Sequence, residues 1–200
     1  MNIAFIGAGK VATNLSKLFS NAGHSIQLAT HRPETSDLSI EEAIAFGEII
    51  CFAIPFSAMN GVLNTYKENL KGKIVVDITN PVSIADWSAL FLGEDSGGEQ
   101  TARLLPDSKV VKAFNTIFAD VMYPEKQIFC EQKLTAFIAS DDEEAANIIK
   151  KIADEAGFYG MIVGGMKNAS HLEAIAHLNI SIALSGGNTD AGFRYFQRSA

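Results

Sequence analysis

Seven short apolar runs punctuate the chain: Ile3 to Ile6, Ile26 to Ala29, Ile49 to Ile54, Ile74 to Ile78, Val110 to Phe114, Leu134 to Ala139 and Phe158 to Val163. Runs of this length without polar alternation are what strands buried on both faces require. Segments with helical spacing lie between them, at about residues 10–22, 39–46, 56–70, 97–104, 142–156 and 167–185. Strand and helix in alternation give a parallel sheet covered by helices on both sides, so the expected fold class is α/β. The boundaries carry chemical marks. Gly23 and Gly72 follow helices as C-terminal caps, Pro55 suits a first helical turn, and Ser39-Ile40-Glu41-Glu42 is a capping box. The stretch from Phe118 to Lys133 has no clean period and holds Pro124, so it reads as a functional or structural loop with one helical turn. With 200 residues, no internal repeat and only the short loop-rich stretch Gly93 to Gly98, one compact domain is the simplest organisation.

Directly after the first run comes Gly7-Ala8-Gly9-Lys10-Val11-Ala12, a G-x-G-x-x-A pattern that leads straight into the first helix. The first glycine permits a tight turn. The second removes a side chain where a pyrophosphate must approach the backbone, and the small Ala12 lets helix pack closely on strand. Free N–H groups at the helix start, at the positive end of its dipole, then hold phosphates. This position sharpens the α/β expectation to a Rossmann-type, doubly wound, mainly parallel sheet that binds a dinucleotide. NAD needs an acidic residue at the end of the second strand to accept from its ribose 2′-hydroxyl. The chain reads Ala29-Thr30-His31-Arg32-Pro33 there, a hydroxyl, an imidazole and a guanidinium suited to a 2′-phosphate. NADP(H) is the expected cofactor; the alternative is a solvated loop in which Glu34 pairs with Arg32.

Ligands of open parallel sheets lie beyond the carboxyl ends of the strands. Three such places carry polar or aromatic groups: Ile54-Pro55-Phe56-Ser57, Asp77-Ile78-Thr79-Asn80-Pro81 and Lys112-Ala113-Phe114-Asn115-Thr116. Each has a structural alternative: a helix start for Pro55 with a core Phe56, a carboxylate tying down the turn backbone for Asp77, and an Asx turn for Asn115. Asp141-Asp142-Glu143-Glu144 reads as the acidic first turn of a helix. Glu173 and His177, four apart, read as a surface or interface pair rather than metal ligands.

Charge and composition exclude other classes. Lys and Arg number 16 against 23 Asp and Glu, a net charge of −7, with no basic stretch, which argues against nucleic acid and anionic membranes as partners. No apolar run approaches the roughly 20 residues needed to cross a bilayer, and the chain starts on a strand without a leader-like segment, so a cytoplasmic protein is expected. Cys51 and Cys130 lack C-x-x-C partners and read as buried thiols, so neither a disulfide framework nor a metal cage is expected. There is no G-x-S-x-G elbow, Walker loop or H-E-x-x-H motif.

The glycine pattern, the Thr30-His31-Arg32 loop, Gly72 to Pro81, Val110 to Thr116, Ala139-Ser140-Asp141-Asp142, and Gly164 with Asn168 and Glu173 together resemble the NADPH:coenzyme F420 oxidoreductase family over nearly the whole length. The resemblance implies a cofactor-binding core over residues 1–117 and a small C-terminal βαβα extension over 118–200. It implies hydride transfer between NADPH and a small-molecule redox acceptor, a deazaflavin (coenzyme F420) or a flavin. By motif match, Gly7, Gly9, Lys10 and Val11 line the pyrophosphate; Thr30, His31 and Arg32 the 2′-phosphate; and Pro55, Asn80 and Asn115 the nicotinamide, with Ile54 and Pro81 beside them. The sequence departs from the pattern at Asn115, where archaeal members carry His. The same module is similar to the cytosolic part of the six-transmembrane metalloreductases. Alternatives are an NADP-binding sensor without turnover, and a small dehydrogenase of the pyrroline-carboxylate reductase or β-hydroxyacid type with Lys167 as its lysine. Small and apolar residues in Ala174 to Leu184 permit a homodimer or a core helix.

Overall fold

The computed structural model describes residues 1–31, 38–90, 94–129 and 131–198. In chain order the elements are β1 Asn2–Ile6, α1 Lys10–Asn21, β2 Ser25–Ala29, α2 Ile40–Phe46, β3 Ile49–Phe52, α3 Phe56–Tyr66, β4 Ile74–Asp77, α4 Gly97–Leu104 and β5 Lys109–Ala113, then β6 Ile128–Phe129, β7 Gln132–Lys133, β8 Thr135–Ala139, α5 Glu143–Glu155, β9 Tyr159–Ile162 and α6 Ala169–Leu184. Seven strands form one sheet in the order β2-β1-β3-β4-β5-β8-β9, and β6 and β7 make a separate small hairpin. All neighbours in the large sheet are parallel except β5 and β8. The expected α/β sheet is thus present, and the C-terminal strands and helices continue it across one antiparallel seam.

The absence of polar alternation in the strands follows from burial on both faces. On one face Ile3, Phe5, Cys51, Val76 and Val111 pack with Leu15 and Phe19 of α1 and Ile149 and Ile152 of α5. On the other, Ala4, Ile6, Ile50, Phe52 and Val75 pack with Ile44 of α2, Leu63 of α3 and Ala169 of α6. Burial pushes the Cys51 thiol pKa upward, so Cys51 is an inert core residue. Cys130 lies outside the described residues.

The capping box forms as read: Ser39 Oγ accepts from Glu42 N, and Glu42 returns its carboxylate to Ser39 N at 2.8 Å. Asp142 caps α5 by accepting from Ala145 N at 2.8 Å. Helix α3 ends at Tyr66, short of the expected residue 70. Asn64 and Thr65 bond back to the carbonyls of Asn60 and Gly61, which competes with helix propagation, and the chain tightens through turns into Gly72 at φ +73°. Pro55 is the N-cap rather than the first helical residue. Between β5 and β8 the chain makes two single 3-10 turns, at Ala119–Val121 and Pro124–Lys126.

Candidate functional site

The connection order reverses between β1 and β3: β2 lies outside β1 on one side, while β4 and β5 follow β3 on the other. That reversal opens a crevice at the carboxyl ends of the strands, the place where ligands of open α/β sheets bind. Gly7 closes β1 there with φ +128°, its N–H donating to Ala29 O at 2.8 Å. A Cβ on Gly7 would collide with the Ala53 carbonyl at the end of β3, so this glycine serves the fold. Gly9 differs. It is the N-cap of α1 with φ −76°, no side chain caps the helix, and its first turn holds no acidic residue. A Cβ at Gly9 would meet no protein atom within 4 Å. The space is open and electropositive, which is the form a pyrophosphate cradle takes.

Beyond the glycine turn is a cavity of about 560 Å³. It is lined by Gly9, Lys10 and Val11 of the glycine turn and α1, by Ala53, Ile78, Asn80 and the stretch Phe114 to Asp120 after the strands, and by Ala176, Asn179, Ile180 and Ala183 of α6. Among the described residues its titratable lining groups are Lys10 and Asp120, 3.8 Å apart. The Thr189 hydroxyl, donating to Asp120 at 2.5 Å, holds that carboxyl below the usual carboxylate range, with help from Lys10 and Lys126.

Phe114 follows β5 with φ +61°, a left-handed conformation unusual for a bulky residue. Its ring is clamped between Phe19 and Phe158, at centroid distances of 5.5 and 6.0 Å, and the turn aims Asn115 and Thr116 at the cavity. Asn115 Nδ2 donates to Asn80 Oδ1 at 2.9 Å, and Asn80 Nδ2 donates to Asn115 O at 2.8 Å. This clasp leaves Asn115 Oδ1 buried without a partner among the described residues. An orphaned acceptor costs about 1–3 kcal/mol, and at a cavity wall it offers a site for a ligand N–H such as a carboxamide.

The clasp rests on buried charge. Lys112, fully buried, donates from Nζ to Thr79 O at 2.6 Å and lies 2.9 Å from Glu173 Oε1 and 3.3 Å from Asp77 Oδ2. Asp77 Oδ1 accepts from Thr79 N and Oγ1, so it does tie down its own turn. Glu173 of α6 accepts from Gly97 N and Gly98 N, both at 3.0 Å, at the start of α4. A Cβ on Gly98 would press on Ala169 Cβ at 2.6 Å, which explains the glycine pair. Glu173 is therefore a buried anchor rather than the expected surface partner of His177, because two free backbone N–H groups and a lysine meet it inside the protein. His177 Nε2 instead lies 3.1 Å from Pro81 O.

The residues expected at the site are distributed unevenly. Gly9, Lys10, Val11, Asn80 and Asn115 line the cavity. Thr30 and His31 follow β2 beside the glycine turn, and Arg32 lies outside the described residues. Half-buried Ile54 and exposed Pro55 sit at the rim, where Ala53 rather than either of them lines the space. Pro81 is buried with its carbonyl occupied by Leu90 N at 2.8 Å. Lys167 is exposed and away from the cavity. The α6 wall escaped the sequence reading; its signal was Asn179, a polar residue in register with Ala176 and Ala183 at helical spacing. Among the described residues no helix is long and apolar enough to cross a membrane.

Known proteins extend this picture. The family described as NADP oxidoreductase, coenzyme F420-dependent, matches residues 2–81. An F420-dependent NADP reductase from Methanothermobacter marburgensis is 30% identical over 174 residues, covering 80% of this chain and 76% of that one. The rat metalloreductase STEAP3 is 29% identical over 182 residues, which is 86% of this chain and 36% of the relative. In fold, the chain is similar to a putative F420-dependent NADP reductase from Arthrobacter sp. FB24, with a TM-score of 0.84 at 24% identity, covering 98% of this chain and all of the other. Together with the cradle and cavity at the chain-reversal point, this places the chain in the F420-dependent NADP reductase family.

Proposed function

We propose that the protein is an NADPH-dependent oxidoreductase that hands hydride to a deazaflavin such as coenzyme F420 or to a flavin. The observation that carries the reading is the cavity itself: it opens from the Gly9 cradle and presents the orphaned Asn115 Oδ1, and among the described residues its lining holds no titratable side chain besides the Lys10–Asp120 ion pair. NADPH supplies two electrons and a proton from nicotinamide C4 as hydride, and the reduced acceptor ring completes its valence with a proton from solvent. Such a step depends on distance and stacking more than on acid or base.

The protein's part is binding and orientation. The α1 N-terminus and Gly9 receive the pyrophosphate, and Lys10 lies beside them. Thr30, His31 and Arg32 are assigned to the 2′-phosphate, since no acidic residue at this strand end is available for a 2′-hydroxyl. Asn115 Oδ1 accepts from the carboxamide, held by Asn80. Ile78, Ile117 and α6 exclude water on the acceptor side. The exposed position of Lys167 leaves the small-dehydrogenase alternative without its lysine in the cavity.

The test is NADPH oxidation, followed by absorbance, with coenzyme F420, FMN, FAD and riboflavin in parallel and NADH as control donor. Turnover with one of these and preference for NADPH is the expected result. Saturable NADPH binding with no turnover on any acceptor refutes the reductase reading in favour of a sensor.

A further inference from the structure

We propose that Trp87 is the stacking surface for the planar ring of the hydride acceptor, a role that rests on the reductase reading above. Residues 82–89 form a small hairpin that leaves the Asn80-Pro81 turn: Val82 and Ala89 make an antiparallel bridge, Ser83 N donates to Ser88 O at 2.8 Å, and Trp87 N donates to Ser83 O at 2.9 Å. The base is fixed twice. Leu90 N donates to Pro81 O, and His177 of α6 meets the same carbonyl at 3.1 Å. Asn80, one residue before that carbonyl, is locked to Asn115. The hairpin is thus tied at its root to both walls of the cavity, and its tip carries Trp87 into the cavity lining.

Three features separate Trp87 from an ordinary surface aromatic. It is 56% exposed although it is the largest apolar group in the chain. It has φ +62°, at the end of a tight turn where glycine or asparagine is the usual occupant, so a strained backbone holds a bulky ring in place. The other aromatic rings of the cavity are already spent: Phe114 is packed between Phe19 and Phe158, and Phe118 rests against the core. No ring contact among the described residues uses Trp87. An exposed indole face in the cavity lining, with the Phe114 and Phe118 rings turned to the core, offers a planar heteroaromatic ring a π partner. The Asn80–Asn115 clasp at its root is assigned to the nicotinamide carboxamide, so the ring left for Trp87 is that of the second substrate.

Because Trp87 is the chain's only tryptophan, its effects separate cleanly. Riboflavin is titrated into the protein saturated with NADP⁺, reading quenching of flavin emission, alongside acceptor KM, the NADP⁺ dissociation constant, melting temperature and oligomeric state. Substitutions are Trp87→Gly, which relieves the positive φ, and Trp87→Phe, which keeps a ring. The expectation for Trp87→Gly is loss of flavin quenching and a rise in acceptor KM of about tenfold or more, the worth of one aromatic stacking contact. NADP⁺ affinity should stay within about twofold and the melting temperature should not fall. Trp87→Phe should restore most of the acceptor affinity. The proposal is overturned by absence of flavin quenching in the wild type, by an unchanged KM in Trp87→Gly, or by a shift from dimer to monomer with KM unchanged, which would make the hairpin an interface. Turnover failure with every acceptor while flavin still quenches through Trp87 would instead refute the reductase reading alone.

Discussion

Replacing Lys112 by methionine tests whether the buried charges beneath the Asn80–Asn115 clasp hold the fold together. Methionine matches the lysine stem in length, so the perturbation removes the ammonium without opening a large void. Three contacts vanish: Thr79 O at 2.6 Å, Glu173 Oε1 at 2.9 Å and Asp77 Oδ2 at 3.3 Å. Asp77 keeps Thr79 N, Thr79 Oγ1 and Thr101 Oγ1, and Glu173 keeps Gly97 N and Gly98 N. Those donors moderate the loss, yet two carboxylates with almost no exposure are left without a cation. Removing one partner of a buried ion pair costs about 3–5 kcal/mol. For a chain of this size that lowers the melting temperature by roughly 6–20 °C.

The second half of the test is coupling. Glu173→Gln alone leaves Lys112 paired with Asp77 and one oxygen for Gly98 N, so it should cost less than Lys112→Met. The double variant should be more stable than the sum of the two losses predicts, by about 1–3 kcal/mol, because the second change removes a charge that the first had stranded. Urea denaturation followed by circular dichroism measures all three. A Lys112→Met loss below about 1 kcal/mol, or strict additivity in the double variant, would show that the three charges do not act as a unit.

Gly7→Ala and Gly9→Val should separate fold from function: the first collides with Ala53 O at a positive φ and should cost about 2–5 kcal/mol, whereas the second has open space and should abolish NADPH binding with stability within about 0.5 kcal/mol, as read by calorimetry and fluorescence titration. Arg32→Ala should weaken NADPH binding and spare NADH; equal losses would remove Arg32 from the 2′-phosphate. His24, whose imidazole is held below its ordinary pKa mainly by burial and only partly rescued by Glu155 at 3.3 Å, binds its proton more weakly folded than unfolded. Stability should therefore be full above about pH 6.5 and fall as pH drops below it, and His24→Leu should flatten urea midpoints across that window.

The parts of the fold legible in the sequence are those fixed by neighbours a few residues apart. Apolar runs located all seven strands of the sheet, and Ser39 with Glu42 located a helix start to the residue. The glycine turn was legible because strand, turn and helix are contiguous. What escaped depends on groups far apart in the chain. Lys112 looks like a polar interruption of an apolar strand, and Glu173 like one more charge on a helix; their meaning appears only when residues 76 apart bring Gly97 N to Glu173. The wall formed by Ala176, Asn179 and Ala183 is invisible for the same reason. A small-residue stripe on a helix looks alike whether it faces a core, a twin subunit or a cavity.

That division of legibility follows a division of labour. The cofactor side proposed above draws on β1, α1, the end of β2 and the Asn80–Asn115 clasp, and the family match runs from residue 2 to 81. The acceptor side proposed above draws on the 82–89 hairpin and α6, which both lie beyond it. Relatives similar to this chain over most of its length carry names that differ in the acceptor, coenzyme F420 in one and a metal in another. On the proposed assignment, the acceptor can change with one hairpin and one helix face, because neither is part of the α1 N-terminus. Buried Lys112 is the joint between these parts: it meets Glu173 of α6 on one side and Asp77 and the Thr79 carbonyl at the end of β4 on the other. On the stacking proposal, changes at Trp87 on the exposed hairpin should therefore alter acceptor use, whereas changes to the buried charges should first alter whether the chain folds.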